Sequence, residues 1–534
     1  MALRLLTRAL CVVGIALLGG ACGSSSADAP VAGPVDDAGG TPPPPIDPPR
    51  EPLVVEWRPC TLDTDRQEAA ECATVKMPYR WDARDDPRTV DVFVKHYRAK
   101  GKPSGGQVWL LQGGPGASGE AMDGIGRYLT HYGTPMDYYS IDQRGTGRSS
   151  RLGCAAQESN GSAMGAAVAP DEWPGCVAAL QAQWGVRLEG FSVTNSARDL
   201  GELIARLREP EQRVFVYGVS YGTYLANRYL QLYPTQPTGV ILDSIAPPGE
   251  TFTRADVAFD AVAHELFDAC GKVESCARRL GADPWATFRG VVERLEAGHC
   301  PAAKSAGIDR ASLRAIFATF AYGWGSRILI PAFVHRLDRC GDVDAPVIAR
   351  MGRLYTAPQT EDSLQSFSMA LAFHVGLSEL WEEPSPSLET LRAEEASLLV
   401  CNGVSTRMRR AYDVWPRLPH DEHHGRWAST SVPMLMLAGT LDPATPYKDQ
   451  LPAAKVFAGP NQTFVTFPQA PHGIVGNSPV ATATMSCGMT LLARFLKAPT
   501  SPLDTSCTTE LEPLSFDSST SAKDYFGTDD LWGD

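Results

Sequence analysis

Seven short apolar runs along this chain constrain its fold more than any other feature of the sequence. The predicted strands are residues 90–97, 107–112, 137–142, 213–218, 239–243, 433–438 and 463–467. Helical patterns separate several of them, and the clearest is 196–208, where Ser196 and Asp199 resemble a capping box. Strands that alternate with helices predict an α/β fold, in which helices cover both faces of a mostly parallel sheet.

A long segment in the second half of the chain lacks this strand pattern. Over residues 250–425 the apolar residues follow helical spacing, which predicts a helical cap inserted into the sheet domain. The sheet domain then consists of two parts, 53–249 and 426–508. Residues 509–534 are rich in Ser, Thr and Asp, and we expect an acidic, flexible tail there.

The beginning of the chain has the features of an export signal over residues 1–22. Arg4 and Arg8 precede an apolar run that is too short for a permanent membrane-spanning helix. The next residues, Leu-Gly-Gly-Ala-Cys, resemble a bacterial lipoprotein cleavage box with Cys22 as the lipidated residue, although Gly19 stands where a large aliphatic residue is usual. Ordinary signal cleavage nearby is the alternative.

Residues 23–52 are rich in Pro, Ser and Gly, which predicts a tether without a core of its own. The predicted protein is therefore exported, either as a cell-envelope lipoprotein or as a secreted protein, and a lipid anchor is its only expected attachment to a membrane. The net charge of −13, without a basic run, argues against a nucleic-acid partner.

The cysteines predict disulfides, because an exported chain folds in an oxidising compartment. The closest spacings predict the pairs Cys60–Cys72, Cys154–Cys176, Cys270–Cys276 and Cys487–Cys507. Cys300, Cys340 and Cys401 remain, which leaves one thiol over. The chain has no Cys-x-x-Cys pair, which argues against structural zinc and against a redox dithiol.

Ser220 is the candidate nucleophile. It stands between Gly218 and Gly222, after the predicted strand 213–218 and before a predicted helix at 223–232. A strand, a sharp turn and a helix form a nucleophile elbow, and glycines remove the side chains that would collide across that turn. The alternative is an ordinary serine in a tight turn.

A serine nucleophile needs a base that a carboxylate orients. In elbow hydrolases the order along the chain is serine, acid, histidine, which excludes the histidines before residue 220. Of the later ones, His472 follows the predicted strand 463–467 in a loop, where such sheets place chemistry. Asp442, in the loop after 433–438, is the predicted acid, and Asp243, at the end of 239–243, is its rival.

An oxyanion intermediate also needs backbone N–H donors. We expect one from Tyr221 and one from Gly113 or Gly114, in the glycine-rich loop after strand 107–112. That loop also matches a dinucleotide-binding fingerprint, G-x-G-x-x-G. We discount the match, because Pro115 has no N–H to offer a pyrophosphate and because the chain is predicted to be exported, where free nicotinamide cofactor is scarce.

Four motifs resemble a known family. Gln-Gly-Gly-Pro-Gly at 112–116, Asp-Gln-Arg-Gly-Thr-Gly-Arg-Ser at 142–149, Gly-Val-Ser-Tyr-Gly-Thr at 218–223 and Gly-x-x-Asp-Pro-x-Thr-Pro at 439–446 follow each other in this order. Together they resemble the exported tripeptidyl aminopeptidases and proline iminopeptidases, which are serine exopeptidases with the α/β-hydrolase fold. Many relatives have His where this chain has Gln112, but a glutamine can still hydrogen-bond within the loop.

The resemblance implies an enzyme that acts on peptide substrates through an acyl-enzyme at Ser220 and requires no metal or cofactor. An aminopeptidase must also recognise an α-ammonium group. Glu382 and Glu383 in the predicted cap are our candidates, and a solvated acidic pair is the alternative. Two other functions remain open, namely an exported esterase or lipase with the same triad and an inactive hydrolase fold that binds a partner.

Overall fold

The protein is described from a computed structural model that covers residues 53–62, 68–83, 85–99, 105–131, 135–159, 161–162, 167–356 and 365–534. The predicted signal peptide with Cys22 and the predicted tether lie outside these residues. Within the described ranges, no helix is both long enough and apolar enough to cross a membrane.

The centre of the fold is a nine-stranded sheet. Its strands are β1 (Arg58–Thr61), β2 (Ala69–Pro78), β3 (Thr89–Tyr97), β4 (Gln107–Leu111), β5 (Asp137–Asp142), β6 (Val214–Ser220), β7 (Gly239–Ile245), β8 (Met434–Gly439) and β9 (Gln462–Phe467). They lie in the order β1-β2-β3-β5-β4-β6-β7-β8-β9. The first three join the sheet in antiparallel pairs, and β5, β4 and β6 to β9 are parallel.

All seven predicted strands are present, as β3 to β9, and their ends agree within two residues. The sequence analysis missed β1 and β2. In β2, buried residues such as Val75 and Met77 flank the exposed Lys76, so the strand has no continuous apolar run. An antiparallel strand with one solvated face shows this alternation.

Helices cover the sheet and form the cap. They are α1 (Asp123–His131), α2 (Trp173–Trp184), α3 (Val193–Leu207), α4 (Tyr221–Leu232), α5 (Ala255–Gly271), α6 (Glu274–Leu280), α7 (Pro284–Glu296), α8 (Pro301–Ser305), α9 (Arg310–Ala321), α10 (Leu329–Arg339), α11 (Ala345–Thr356), α12 (Met369–Glu379), α13 (Leu388–Ser397), α14 (Val404–Tyr412), α15 (Tyr447–Val456), α16 (Cys487–Lys497) and α17 (Ser519–Phe526). Helices α5 to α14 belong to the segment between β7 and β8.

Helix α3 begins earlier than its sequence pattern suggests. Its N-cap is Ser192, whose hydroxyl accepts a hydrogen bond from the Asn195 N–H. The predicted capping box at Ser196 and Asp199 is therefore wrong. Asp199 instead accepts two hydrogen bonds from the buried guanidinium of Arg144, so a tertiary ion pair explains the carboxylate.

The C-terminal segment differs from the expected flexible tail. Phe516 and Trp532 are buried, and they join the hydrophobic cluster of the cap together with Phe526 of α17. The Trp532 indole N–H donates to the Phe516 carbonyl at 2.9 Å, and Arg336 of α10 donates to the Leu531 carbonyl at 3.1 Å. The few apolar residues in this polar segment are the ones that attach it to the cap.

The four predicted disulfides are present, and Cys300 pairs with Cys340 as a fifth. The remaining thiol is Cys401, which is buried. Multiple disulfides are typical of proteins that fold in an oxidising compartment outside the cytosol.

Candidate active site

Ser220 occupies a sharp turn between β6 and α4, as the sequence predicted. Its backbone has φ 58° and ψ −131°, a conformation that residues with a side chain rarely adopt. A Cβ atom at Gly218 would collide with the Gly222 carbonyl, and one at Gly222 would collide with the Leu111 carbonyl. The two glycines are therefore required for the turn that presents Ser220 at the carboxyl edge of the sheet.

The first backbone N–H groups of α4 point into this turn region without partners from their own helix. Tyr221 is the first residue of α4, and Ser220 at the N-cap makes no side-chain capping bond. The helix N-terminus also carries a partial positive charge. This end of α4 therefore offers donors for a negatively charged oxygen near Ser220.

The glycine-rich loop after β4 lies against the serine. A Cβ atom added to Gly113 would be 2.7 Å from the Ser220 Cβ and 3.1 Å from its hydroxyl oxygen. The Gly113 N–H donates to the side-chain oxygen of Gln112 at 2.7 Å, so Gln112 bonds within the loop, as predicted. No hydrogen bond of the Gly114 N–H is found among the described residues.

His472 and Asp442 are in direct contact. The imidazole Nδ1 lies 2.9 Å and 3.0 Å from the two carboxylate oxygens of Asp442. Asp442 is fully buried, and His472 is largely buried in the loop after β9. This contact orients the imidazole and leaves its Nε2 as the nitrogen free to exchange a proton.

The surroundings of Asp442 and His472 favour the charged forms of both side chains. Asp442 accepts hydrogen bonds from the N–H groups of Ala444 and Thr445 and from the Thr445 hydroxyl, each at 2.9 Å. Burial raises the pKa of Asp442, but His472 and these donors outweigh burial and lower it below its ordinary value. Burial lowers the pKa of His472, but the adjacent Asp442 carboxylate outweighs it and raises the pKa overall.

Asp243, the rival acid, has a different set of contacts. Its carboxylate accepts hydrogen bonds from the Tyr217 hydroxyl at 2.7 Å and from the N–H groups of Ile474 and Val475 at 2.7 Å and 2.9 Å. It therefore holds the backbone that follows His472 rather than the imidazole itself. Its fully buried position raises its pKa, and the same three donors oppose that rise.

Two cap residues that the sequence analysis did not select also face the site. The Tyr322 ring lies edge-on to the His472 imidazole, with centroids 5.4 Å apart. Glu250, just after β7, has a buried Oε2 without a hydrogen-bond partner among the described residues. Burial, together with the nearby negative charges of Asp442 and Asp449, raises the pKa of Glu250 well above its ordinary value.

Glu382 and Glu383, the predicted ammonium-binding pair, both accept hydrogen bonds from other side chains. Glu383 is exposed, and it accepts hydrogen bonds from Arg417 at 2.7 Å and from the Tyr412 hydroxyl at 2.8 Å. Glu382 accepts a hydrogen bond from the Thr253 hydroxyl at 2.9 Å. Neither glutamate has a recorded contact with Ser220, Asp442 or His472 in the described part of the chain.

Comparison with known proteins agrees with this architecture. A family model described as alpha/beta hydrolase fold matches residues 108–288, and one described as TAP-like protein matches residues 402–507. Together the two matches contain Ser220, Asp442 and His472.

Two curated relatives are peptidases by name. The tripeptidyl aminopeptidase of Streptomyces lividans is 27% identical over 232 residues, which cover 39% of this chain and 42% of that protein. The match thus spans less than half of that relative. Serine protease Hip1 of Mycobacterium tuberculosis is 23% identical over 461 residues, which cover 79% of this chain and 85% of that protein.

Among solved structures, the proline iminopeptidase of Mycobacterium smegmatis aligns with 80% of this chain and 98% of its own, at 14% identity and a TM-score of 0.35.

Proposed function

We propose that this chain, which has the α/β-hydrolase fold and a TAP-like C-terminal segment, is a serine peptidase that removes short peptides or single residues from peptide N-termini. The observation that carries this proposal is the hydrogen-bonded pair of His472 and Asp442 at the same sheet edge as the strained Ser220. The relatives named as peptidases support the choice of a peptide substrate.

The proposed reaction begins at the Ser220 hydroxyl. Its oxygen attacks the scissile carbonyl carbon while the Nε2 of His472 takes the hydroxyl proton. The imidazolium then gives this proton to the leaving amine as the C–N bond breaks, which leaves an acyl-enzyme. Water attacks the acyl-enzyme with His472 again as the base, and the carboxylic acid product and free Ser220 are released.

The oxygen of the tetrahedral intermediate needs two donors, and the Tyr221 N–H supplies the first in this proposal. We assign the second to Gly114, because the Gly113 N–H is engaged by Gln112. Asp442 keeps the His472 tautomer with a proton on Nδ1 and stabilises the imidazolium when it forms.

We assign recognition of the substrate ammonium group to Glu250 rather than to Glu383. The charge of Glu383 is already balanced by Arg417, whereas Glu250 has no cation near it in the described structure. A partly buried carboxylate without a partner gains more from an incoming ammonium group than a solvated ion pair does. Glu382 is the second candidate, because the one hydrogen bond of its side chain among the described residues comes from the neutral hydroxyl of Thr253.

The function is tested with chromogenic tripeptides that have either a free or an acetylated N-terminus. The wild-type protein should cleave the free peptide at least about 10-fold faster, in kcat/KM, because an acetylated nitrogen carries no charge for Glu250. Ser220→Ala should lower kcat by about 10³-fold or more. Equal cleavage of both peptides would reject the aminopeptidase assignment.

A matched pair of variants tests the ammonium site. Glu250→Gln should raise KM for the free peptide by about 10- to 100-fold, since one desolvated charge interaction is lost. It should leave the acetylated peptide unchanged. The control, Glu383→Gln, removes the same charge from a glutamate that already has Arg417 as its partner, and both substrates should be unaffected. If Glu383→Gln shows the larger effect, the assignment to Glu250 is wrong.

A further inference from the structure

The loop that carries His472 is hydrogen-bonded to the end of strand β7. The Gly473 N–H donates to the Ser244 hydroxyl at 2.8 Å, and Asp243 accepts the next two N–H groups of the loop. These bonds all come from the end of β7. They restrain the backbone after His472, but none of them reaches the carbonyl of His472 itself.

The His472 carbonyl is instead bonded to Asn477, whose side-chain nitrogen donates to it at 2.7 Å. The Asn477 side-chain oxygen accepts the backbone N–H of Trp324 at 3.0 Å. Trp324 lies in the turn between α9 and α10, so it belongs to the cap. A backbone N–H only donates and a carbonyl only accepts, so these two partners fix the orientation of the Asn477 amide.

Asn477 is only 3% exposed, and water therefore does not replace its bonds. A single buried amide thus connects a cap residue with the backbone of the histidine. Trp324 and Asn477 are 153 positions apart in the chain, and their contact forms only when the cap turn lies against the histidine loop.

Arg327 makes a second connection between the same two segments. Its guanidinium donates to the Gln469 carbonyl, which is three residues before His472, and lies 4.4 Å from the Trp324 ring centroid. Its Nε and Nη2 have no partner in the described part of the chain, and burial lowers the pKa of Arg327 to about 9. Among the described residues, the Gln469 carbonyl is thus the one acceptor of this buried cation. The bond favours the arrangement in which the cap turn lies against the histidine loop.

The cap turn reaches the imidazole directly as well. Tyr322 precedes Trp324 by two residues, and its ring stands at 85° to the imidazole plane of His472. The turn therefore contacts the histidine loop at its beginning, at the imidazole and at its end.

We propose that Asn477 is a positioning residue for His472, through which the seating of the cap turn at 322–327 sets the orientation of the imidazole. The inference rests on the proposed function, because it assigns His472 the role of the base. It predicts that catalysis depends on a cap contact that touches no substrate. Loss of the Asn477 bond frees the His472 backbone, weakens the contact with Asp442 and misplaces Nε2 relative to Ser220.

The test compares two buried asparagines that have the same pattern of bonds. Asn195 in α3, whose side chain has no hydrogen bond to the triad in the described structure, accepts the Trp81 N–H at 3.0 Å and donates to the Glu189 carbonyl at 3.0 Å. Asn477→Asp and Asn195→Asp each keep the acceptor and remove the donor. Both are measured for thermal midpoint, for kcat and KM on an ester and on a free tripeptide, and for the pH dependence of kcat/KM.

We expect Asn477→Asp to lower kcat by about 10- to 100-fold on both substrates with little change in KM, because a small misplacement of a reacting group has this effect. The acid limb of its pH profile should differ from that of the wild type, because the Asp442 contact and the new carboxylate both act on the His472 pKa, whereas the profile of Asn195→Asp should be unchanged. Asn195→Asp should lower the thermal midpoint and change kcat less than two-fold. Equal kcat values and pH profiles for the two variants would overturn the proposal.

Arg327→Met provides a second variant, for the case that Asn477→Asp does not fold. It removes a buried cation that has one acceptor in the described part of the chain, and an apolar side chain there avoids the cost of burying a charge. It should fold and lower kcat several-fold, and an unchanged kcat would contradict the role of the turn. If Ser220→Ala retains activity, the proposed function fails and the inference fails with it. If Ser220→Ala is inactive and the Asn477 and Arg327 variants have wild-type kcat, only the inference fails.

Discussion

The sheet edge and the cap both contribute to the candidate site, but they differ in how their buried polar groups are satisfied. At the sheet edge, Asp243 and Asp442 each accept at least three hydrogen bonds. On the cap side, Glu250 and Arg327 each have a buried polar atom without a recorded partner in the described structure. Satisfied groups stabilise a fold, whereas unsatisfied ones cost stability and are retained where function requires them.

The two aspartates of the sheet edge provide the sharpest prediction. Asp442→Asn should lower kcat by about 10³- to 10⁴-fold, because an amide can donate to the imidazole and favours the wrong tautomer. Steady-state kinetics and a thermal melt on the same preparation check this. If Asp243→Asn reduces kcat more than Asp442→Asn does, the acid is Asp243.

Asp243→Asn should act mainly on stability. An amide cannot accept the Tyr217, Ile474 and Val475 donors together, so at least one buried donor loses its partner. We expect the free energy of unfolding to fall by about 1–3 kcal/mol, measured by urea denaturation. An unchanged unfolding midpoint would show that these bonds do not hold the histidine loop.

The pH dependence tests the charge state of His472. His472 must be neutral to act as a base, and Asp442 raises the pKa of its imidazole above the ordinary value of about 6.5. The kcat/KM should therefore fall as the pH drops through this raised pKa. In Asp442→Asn the acid limb of the residual activity should move to a lower pH, because the charge that raises the His472 pKa is gone. An acid limb at the same pH in both proteins would place the titrating group elsewhere.

The sequence predicted the sheet edge better than the cap, for a physical reason. The strands β3 to β9 contain apolar runs, and the residues after β6, β8 and β9 must meet at one edge of a parallel sheet. Local sequence therefore sufficed to select Ser220, Asp442 and His472 as candidates. His472 and Asp442 are in contact, Ser220 lies in the turn after β6, and the catalytic roles of all three stay a prediction.

The cap residues depend on contacts that are distant in sequence. Asn477 is distinguished by its bonds to the Trp324 N–H and the His472 carbonyl, and Glu250 by the lack of a nearby cation among the described residues. Charge pattern alone favoured Glu382 and Glu383, but it could not show that Arg417 neutralises Glu383. In the same way, composition suggested a flexible tail, whereas the buried Trp532 attaches the segment to the cap.

Substitution of Glu250 should raise stability and weaken substrate binding, whereas substitution of Asp243 should mainly lower stability. The pKa of Glu250 is raised in the folded state, so its contribution to stability falls as the pH rises from the unfolded pKa through the folded one. Glu250→Gln should therefore have a higher thermal midpoint than the wild type at pH 8 and a smaller difference at pH 4. A lower midpoint at pH 8 would mean that the carboxylate has a stabilising partner.

The C-terminal segment should have the smallest effect on activity. Trp532→Ala removes a buried indole from the cluster of the cap and should lower the free energy of unfolding by about 3–5 kcal/mol if the cap and the sheet unfold together. The kcat of the folded variant should stay within two-fold of the wild type, because Trp532 contacts α10 on the side of Arg336 and Arg339. A large loss of kcat without a change in melting would show that the segment belongs to the active site.

The acyl-enzyme itself tests the central claim most directly. The protein is mixed with a tripeptide p-nitrophenyl ester that has a free N-terminus, quenched with acid within the first turnover, digested and analysed by mass spectrometry. We predict a mass increase equal to the tripeptidyl acyl group on the fragment that contains Ser220, and none in Ser220→Ala. An adduct on another residue, or turnover without any adduct in either protein, would contradict a serine peptidase built on Ser220, Asp442 and His472.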